Sequence, residues 1–131
     1  MLRDIDKILE PHVSPVTAPA DIILLQQEVK KVCVADNIRR YIISILDNLR
    51  HQQDLSSGPS ARSSIAILEG SRALAFVQGR DFVIPDDVKR LIVPSLHHRL
   101  RIRAEAELDN VTAGDILSKV AAEVPVPKEE S

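Results

Sequence analysis

Residues 60–78 carry apolar side chains at helical spacing on two faces, with Ile65, Leu68, Ala75 and Phe76 on one and Ile67, Leu74 and Val77 on the other. A surface helix needs only one apolar stripe, so a helix apolar on two sides must be covered on two sides. This segment is therefore expected at the centre of a helical bundle, ended by Gly79 in the left-handed conformation. The flanking segments supply the cover. Ile22, Leu25, Val29 and Val32 form one stripe along residues 19–31, with Lys30 and Lys31 at the end where the helix dipole favours cations. Ile38, Tyr41, Ile42, Ile45, Leu46 and Leu49 keep three-four spacing from Asp36, a candidate cap, to about His51. Residues 52–59 read as a polar loop. Pro85-Asp86-Asp87 starts a fourth helix with proline at its first position and carboxylates at the positive end of the dipole. Pro94 should kink or restart that helix before Leu96. A last helix opens at Thr112-Ala113-Gly114-Asp115, a capping box with Asp in place of the usual Glu.

The expected fold is all-α: a bundle of four to five helices, with a short extended segment near residues 100–103, where Leu, Arg, Ile and Arg alternate. One or two extended residues are also expected within 81–84. Residues 1–18 read as a short helical pattern (Leu2, Ile5, Ile8, Leu9) passing into an extended linker, residues 19–127 as the domain, and 128–131 as a frayed tail. The opening pattern has no obvious core partner, as expected of a chain that begins partway through a larger protein.

Composition narrows the function classes. With 131 residues, 44% hydrophobic and 27% charged, the chain suits one soluble domain around one core. Aromatic residues are 2% of it, so the core is aliphatic, and so few rings argue against a base-stacking platform for single-stranded nucleic acid. A net charge of −2 gives no broad basic footprint for DNA. No run reaches the roughly 18–20 apolar residues of a membrane span. Cys33 is the single cysteine, so no disulfide can form within the chain. Between Val32 and Val34 it reads as a small packed apolar residue, and a cytoplasmic setting fits.

Motifs for self-contained chemistry are missing. There is no G-x-x-x-x-G-K-[ST] phosphate loop, G-x-S-x-G elbow or H-E-x-x-H. His97 and His98 are adjacent and point about 100° apart on a helix, which disfavours a shared metal. No metal site is expected. Helix-start duty explains Asp86 and Asp87 better than acid–base chemistry does. Lys89, Arg90, Arg99, Arg101 and Arg103 share a window without an acid. It is either a solvated face balanced by Glu105, Glu107 and Asp109 or an electropositive surface towards a subunit or nucleotide. The sharper signal is Gly58-Pro59-Ser60-Ala61-Arg62. Ser60 is a good N-cap, which puts Arg62 in the first helical turn, where the dipole makes a cation mildly unfavourable. Arg62 is then either a solvated surface residue or one that shares an anion, phosphate being the usual one, with the helix N-terminus.

Gly58-Pro59-Ser60-Ala61-Arg62-Ser63, then Gly79-Arg80-Asp81-Phe82-Val83-Ile84-Pro85-Asp86-Asp87-Val88-Lys89, then His98-Arg99-Leu100 resemble the C-terminal half of MoxR-family AAA+ ATPases. That family carries a G-A-S-P-R-A-like turn, a G-R-D-Y-V-T-P-D-D-V-K-like junction and an H-R-L-like exit in this order and spacing. Leu25-Gln26-Gln27-Glu28-Val29, Val34-x-Asp36 and Tyr41-Ile42 resemble its first lid helices, so the resemblance covers about residues 15–127. Ile84 departs from the family's capping threonine, Phe82 replaces a commoner tyrosine, and Pro and Ala are exchanged around Ser60.

The resemblance implies the helical lid of a ring-forming ATPase, with the α/β core lying N-terminal to residue 1. Arg62 matches the sensor 2 arginine, which reaches the γ-phosphate of ATP on the core. Gly58 and Ser60 of the same turn are candidate cofactor-binding residues, and Ile38 and Tyr41 either lie near the adenine or pack in the core. ATP and Mg²⁺ are the implied cofactors of the intact ATPase, and none is expected to bind tightly to the lid alone. The implied partners are its own core, neighbouring ring subunits, and client or von Willebrand A-type proteins in chaperone-like remodelling. No nucleic acid or membrane partner is expected. Two alternatives carry no nucleotide role: a histone-fold-like module and an adaptor bundle.

Overall fold

The computed structural model describes residues 13–128. Its elements are α1 (Pro19–Lys31), α2 (Asp36–Arg50), β1 (Leu55–Ser57), α3 (Ala61–Val77), α4 (Pro85–Leu96), a 3₁₀ turn (His97–Arg99), β2 (Arg101–Ile102), α5 (Ala104–Leu108) and α6 (Ala113–Glu123). The all-α expectation holds. The three-four spacing of α2 buries all six of Ile38, Tyr41, Ile42, Ile45, Leu46 and Leu49. Val88, Ile92 and Leu96 of α4 and Ile116, Leu117 and Val120 of α6 complete one aliphatic core with them.

α3 is central, packed by α1, α2 and α4, but by a different device from the two apolar faces expected. Its buried residues are Ser63, Ile67, Ser71 and Ala75, a stripe at i,i+4 spacing made mostly of small side chains. Small residues let the neighbouring helix come close. A Cβ placed on Gly70 would lie 3.0 Å from Leu91 Cδ1 of α4. Ile65 and Val77, expected inside, are 61% and 81% exposed.

Helix ends follow local chemistry. Gly79 (φ 76°) closes α3, with its own N–H donating to Phe76 O and that of Arg80 to Ala75 O, both at 2.9 Å. Asn110 (φ 60°) does the same for α5, a helix the sequence reading did not foresee. Thr112 caps α6 as expected: its hydroxyl accepts the Asp115 N–H at 3.1 Å, and Asp115 Oδ2 accepts the Thr112 N–H at 3.0 Å. Thr112→Ala is expected to cost about 1 kcal/mol in denaturant unfolding. Two expectations differ. Asp36 is the first residue of α2 rather than its cap, which is Ala35, and its carboxylate pairs with Arg39 at 2.6 Å. Pro94 does not restart α4, which runs on to Leu96 before tightening into the 3₁₀ turn. Pro94 has no N–H to donate to the Arg90 carbonyl, so α4 continues there with one intrahelical bond fewer.

The extended segment is β2, paired antiparallel with β1 inside the expected polar loop. Leu55 is the one apolar residue of β1 and is buried against Ile102, too weak a pattern to announce a strand. Residues 81–83 are also extended: Cys33 N donates to Asp81 O at 2.7 Å and Val83 N to Cys33 O at 3.0 Å. Extended alternation there buries Val32 and Val34 and turns Cys33 outward, so Cys33 is exposed rather than packed.

α1 has the expected stripe, but no residue of the helix is buried; Ile22 and Leu25 are 44% and 48% exposed. A helix of this length draws its stability from tertiary burial. In this chain alone, amides of α1 are therefore expected to exchange with deuterium faster than those of α2. Equal protection in the two helices would contradict that.

Candidate functional site

The candidate site is built where the sheet hands over to α3. The chain leaves β1 through Gly58 and the buried Pro59, and Ser60 takes the N-cap position. Gly58 suits a close approach: a Cβ there would lie 3.1 Å from Arg50 Cα and 3.2 Å from Arg50 Cγ, tight enough that Arg50 would have to shift. Arg50, the last residue of α2, donates from Nε to Pro59 O at 3.3 Å. The Ser60 hydroxyl makes no capping bond, contrary to expectation; only its carbonyl is used, accepting the Ser63 N–H at 2.9 Å.

Arg62 is the second residue of α3 and exposed. The first turn contains no acidic residue, and Arg62 forms no ion pair among the described residues. A guanidinium and a positive helix end thus face solvent together, an arrangement suited to an anion.

Beside this turn, α2 and α3 leave a shallow groove of about 190 Å³ lined by Arg39, Ile42, Ile43, Ser64, Ile65 and Leu68. Ile43 and Ile65 are 59% and 61% exposed. Sequence reasoning missed this surface, although the signal was there: Ile43 falls outside the stripe that α2 buries. Ile38 and Tyr41, expected near adenine, are each 3% exposed and belong to the core. The Tyr41 hydroxyl has no hydrogen-bond partner among the described residues, and burial, aided by the charge of Asp86, pushes its pKa up.

The second motif is a clamp rather than a site. Asp87 is buried, and its two carboxylate oxygens accept from the two Nη groups of Arg80 at 2.8 Å and 2.6 Å. Its Oδ2 also accepts the Ile84 N–H at 2.9 Å, covering the helix start that the Ile84 side chain cannot cap. Asp86 is exposed, so the two acids do not act as a pair. Lys89, Arg90, Arg99, Arg101 and Arg103 form no ion pair with a described acid, and Arg103 Nε donates to Leu55 O at 3.2 Å. His98 meets only Arg99 through its ring, and no metal-binding cluster occurs among the described residues. No described helix is long and apolar enough to cross a membrane.

An all-helical bundle whose longest helix opens on an exposed arginine after a glycine-proline turn has the architecture of a AAA+ lid. The AAA lid domain family model matches residues 47–120, which span both the Arg62 turn and the Arg80–Asp87 clamp, and the chain belongs to this family. It is 36% identical over 119 residues to Bacillus subtilis YeaC, covering 91% of this chain and 37% of that one. It is 27% identical over 130 residues to Mycobacterium tuberculosis chaperone MoxR1, covering 92% and 34%. The chain thus spans little more than a third of these relatives, and its resemblance to the MoxR-family lid holds. A solved candidate ATPase from Cytophaga hutchinsonii superposes with a TM-score of 0.84 at 23% identity over 97% of this chain and 42% of that one, a likeness of fold. Family membership removes the histone-fold alternative.

Proposed function

We propose that residues 19–127 act as the C-terminal lid of a MoxR-like AAA+ ATPase and that Arg62 is its nucleotide sensor. The observation that carries this is the exposed Arg62, without an ion-pair partner among the described residues, at the N-terminus of the central helix. A planar, permanently charged guanidinium placed there supplies fixed positive charge where negative charge accumulates in phosphoryl transfer. Because Arg62 is rooted in α3, a phosphate contact would also tie the position of the whole bundle to the nucleotide state. The apolar groove of Ile42, Ile43, Ile65 and Leu68 offers a neighbouring surface for the flat face of a base.

ATP and Mg²⁺ would be held mainly by the α/β core, so this chain alone should neither hydrolyse ATP nor bind it tightly. Its partners in this reading are that core and the adjacent subunits of a ring, with client remodelling as the output. ATP turnover by the intact AAA+ protein carrying Arg62 or Arg62→Ala tests the reading. Unchanged turnover and ATP affinity would leave an adaptor bundle.

A further inference from the structure

We infer that Arg50 is a positioning residue for Arg62, an inference that rests on the sensor reading above. The start of α3 lacks the side-chain cap that would normally fix it: the Ser60 hydroxyl is unused, and no acid stands in the first turn. A helix whose N-terminus is uncapped frays unless something outside it holds the entry. Here the outside element is the end of α2. Arg50 Nε donates to the carbonyl of Pro59, one residue before the cap. The same residue forms the surface on which Gly58 rests, at a separation where a methyl group would fit only if Arg50 gave way by a few tenths of an ångström. Pro59 is buried and has a fixed φ, so the three-residue turn 58–60 is held by Arg50, by the burial of Pro59 and by the proline ring.

The consequence is geometric. Arg62 lies two residues after Ser60, so the angle at which the turn enters α3 sets where its guanidinium points. Catalytic charge placement is sensitive to displacements of about 1 Å. Arg50 makes no ion pair with a described acid and no other described side-chain hydrogen bond, so its polar work in the fold is this tie.

Two measurements test this. In the present chain, Arg50→Ala is expected to speed hydrogen exchange of amides 60–64 while leaving α4 and α6 unchanged. In the intact ATPase, Arg50→Ala is expected to lower kcat several-fold with little change in KM for ATP, and Arg50→Lys to restore part of the loss. The decisive comparison is the double variant: in the Arg62→Ala background, Arg50→Ala should have no further effect, because it acts through Arg62. Losses that multiply, or unchanged exchange at 60–64, would overturn the positioning role while the sensor reading stood. A silent Arg62→Ala would instead overturn the sensor reading and this inference with it.

Discussion

Asp87→Ala is expected to destabilise the bundle by about 3 kcal/mol, the lower end of the cost of breaking a buried ion pair. The Asp87 side chain is 2% exposed and that of Arg80 21%, so solvent can replace the lost partner only in part. The substitution also frees the Ile84 N–H at the start of α4 and loosens the exit of α3. For a domain of this size, about 3 kcal/mol corresponds to a drop in Tm of roughly 10–20 °C. Differential scanning calorimetry of the variant measures it, and a Tm within about 3 °C of the parent would refute the clamp. The pH dependence follows from the same contacts. Burial alone would raise the Asp87 pKa, but the hydrogen bonds from Arg80 and Ile84 and the charges of Arg80 and Arg90 outweigh it and hold the carboxyl below its ordinary 3.8. Its contribution is therefore complete above the unfolded-state pKa and disappears as pH falls through the lower folded-state value. Stability of the parent should fall more steeply below about pH 4 than that of Asp87→Asn, and the two profiles should run parallel near neutrality.

Arg62→Ala should behave in the opposite way. Arg62 is exposed and unpaired among the described residues, and the dipole of α3 disfavours a cation at its position, so alanine should leave Tm unchanged or slightly raised. ATP turnover by the intact ATPase should nevertheless fall by roughly tenfold or more. Arg62→Lys should recover only part of the activity, because an ammonium keeps the charge but lacks the planar fork that grips two phosphate oxygens. Lost activity at undiminished stability separates a functional arginine from a structural one. Equal turnover in parent and Ala variant would place Arg62 among ordinary surface residues.

Long apolar periodicities were legible in the sequence because they report burial directly. All six α2 positions expected inside are inside, and the Gly79 and Thr112 helix ends follow from local steric and hydrogen-bonding rules. β1 was hidden because a strand with one buried residue has no alternation to detect. The reading of α3 failed at Ile65 and Val77 because periodicity marks where apolar residues could be buried, whereas the bundle buries Ser63, Ile67, Ser71 and Ala75 and brings Leu91 of α4 close at Gly70. At the candidate site, the helix start and its arginine were readable from five residues. The grip of Arg50 was not, since it joins positions nine apart across a loop, and neither was the Ile43–Ile65 groove, which exists only once α2 and α3 are side by side.

The outward turn of Cys33 has a practical corollary. As the single cysteine of the chain, on an extended segment anchored to residues 81–83 by its own backbone amide and carbonyl, it offers one attachment point for a fluorophore or spin label without engineering. A dye there would ride rigidly on the bundle, away from the Arg62 turn in sequence, and distances measured from it to a second label on a partner domain would follow the lid through a nucleotide cycle.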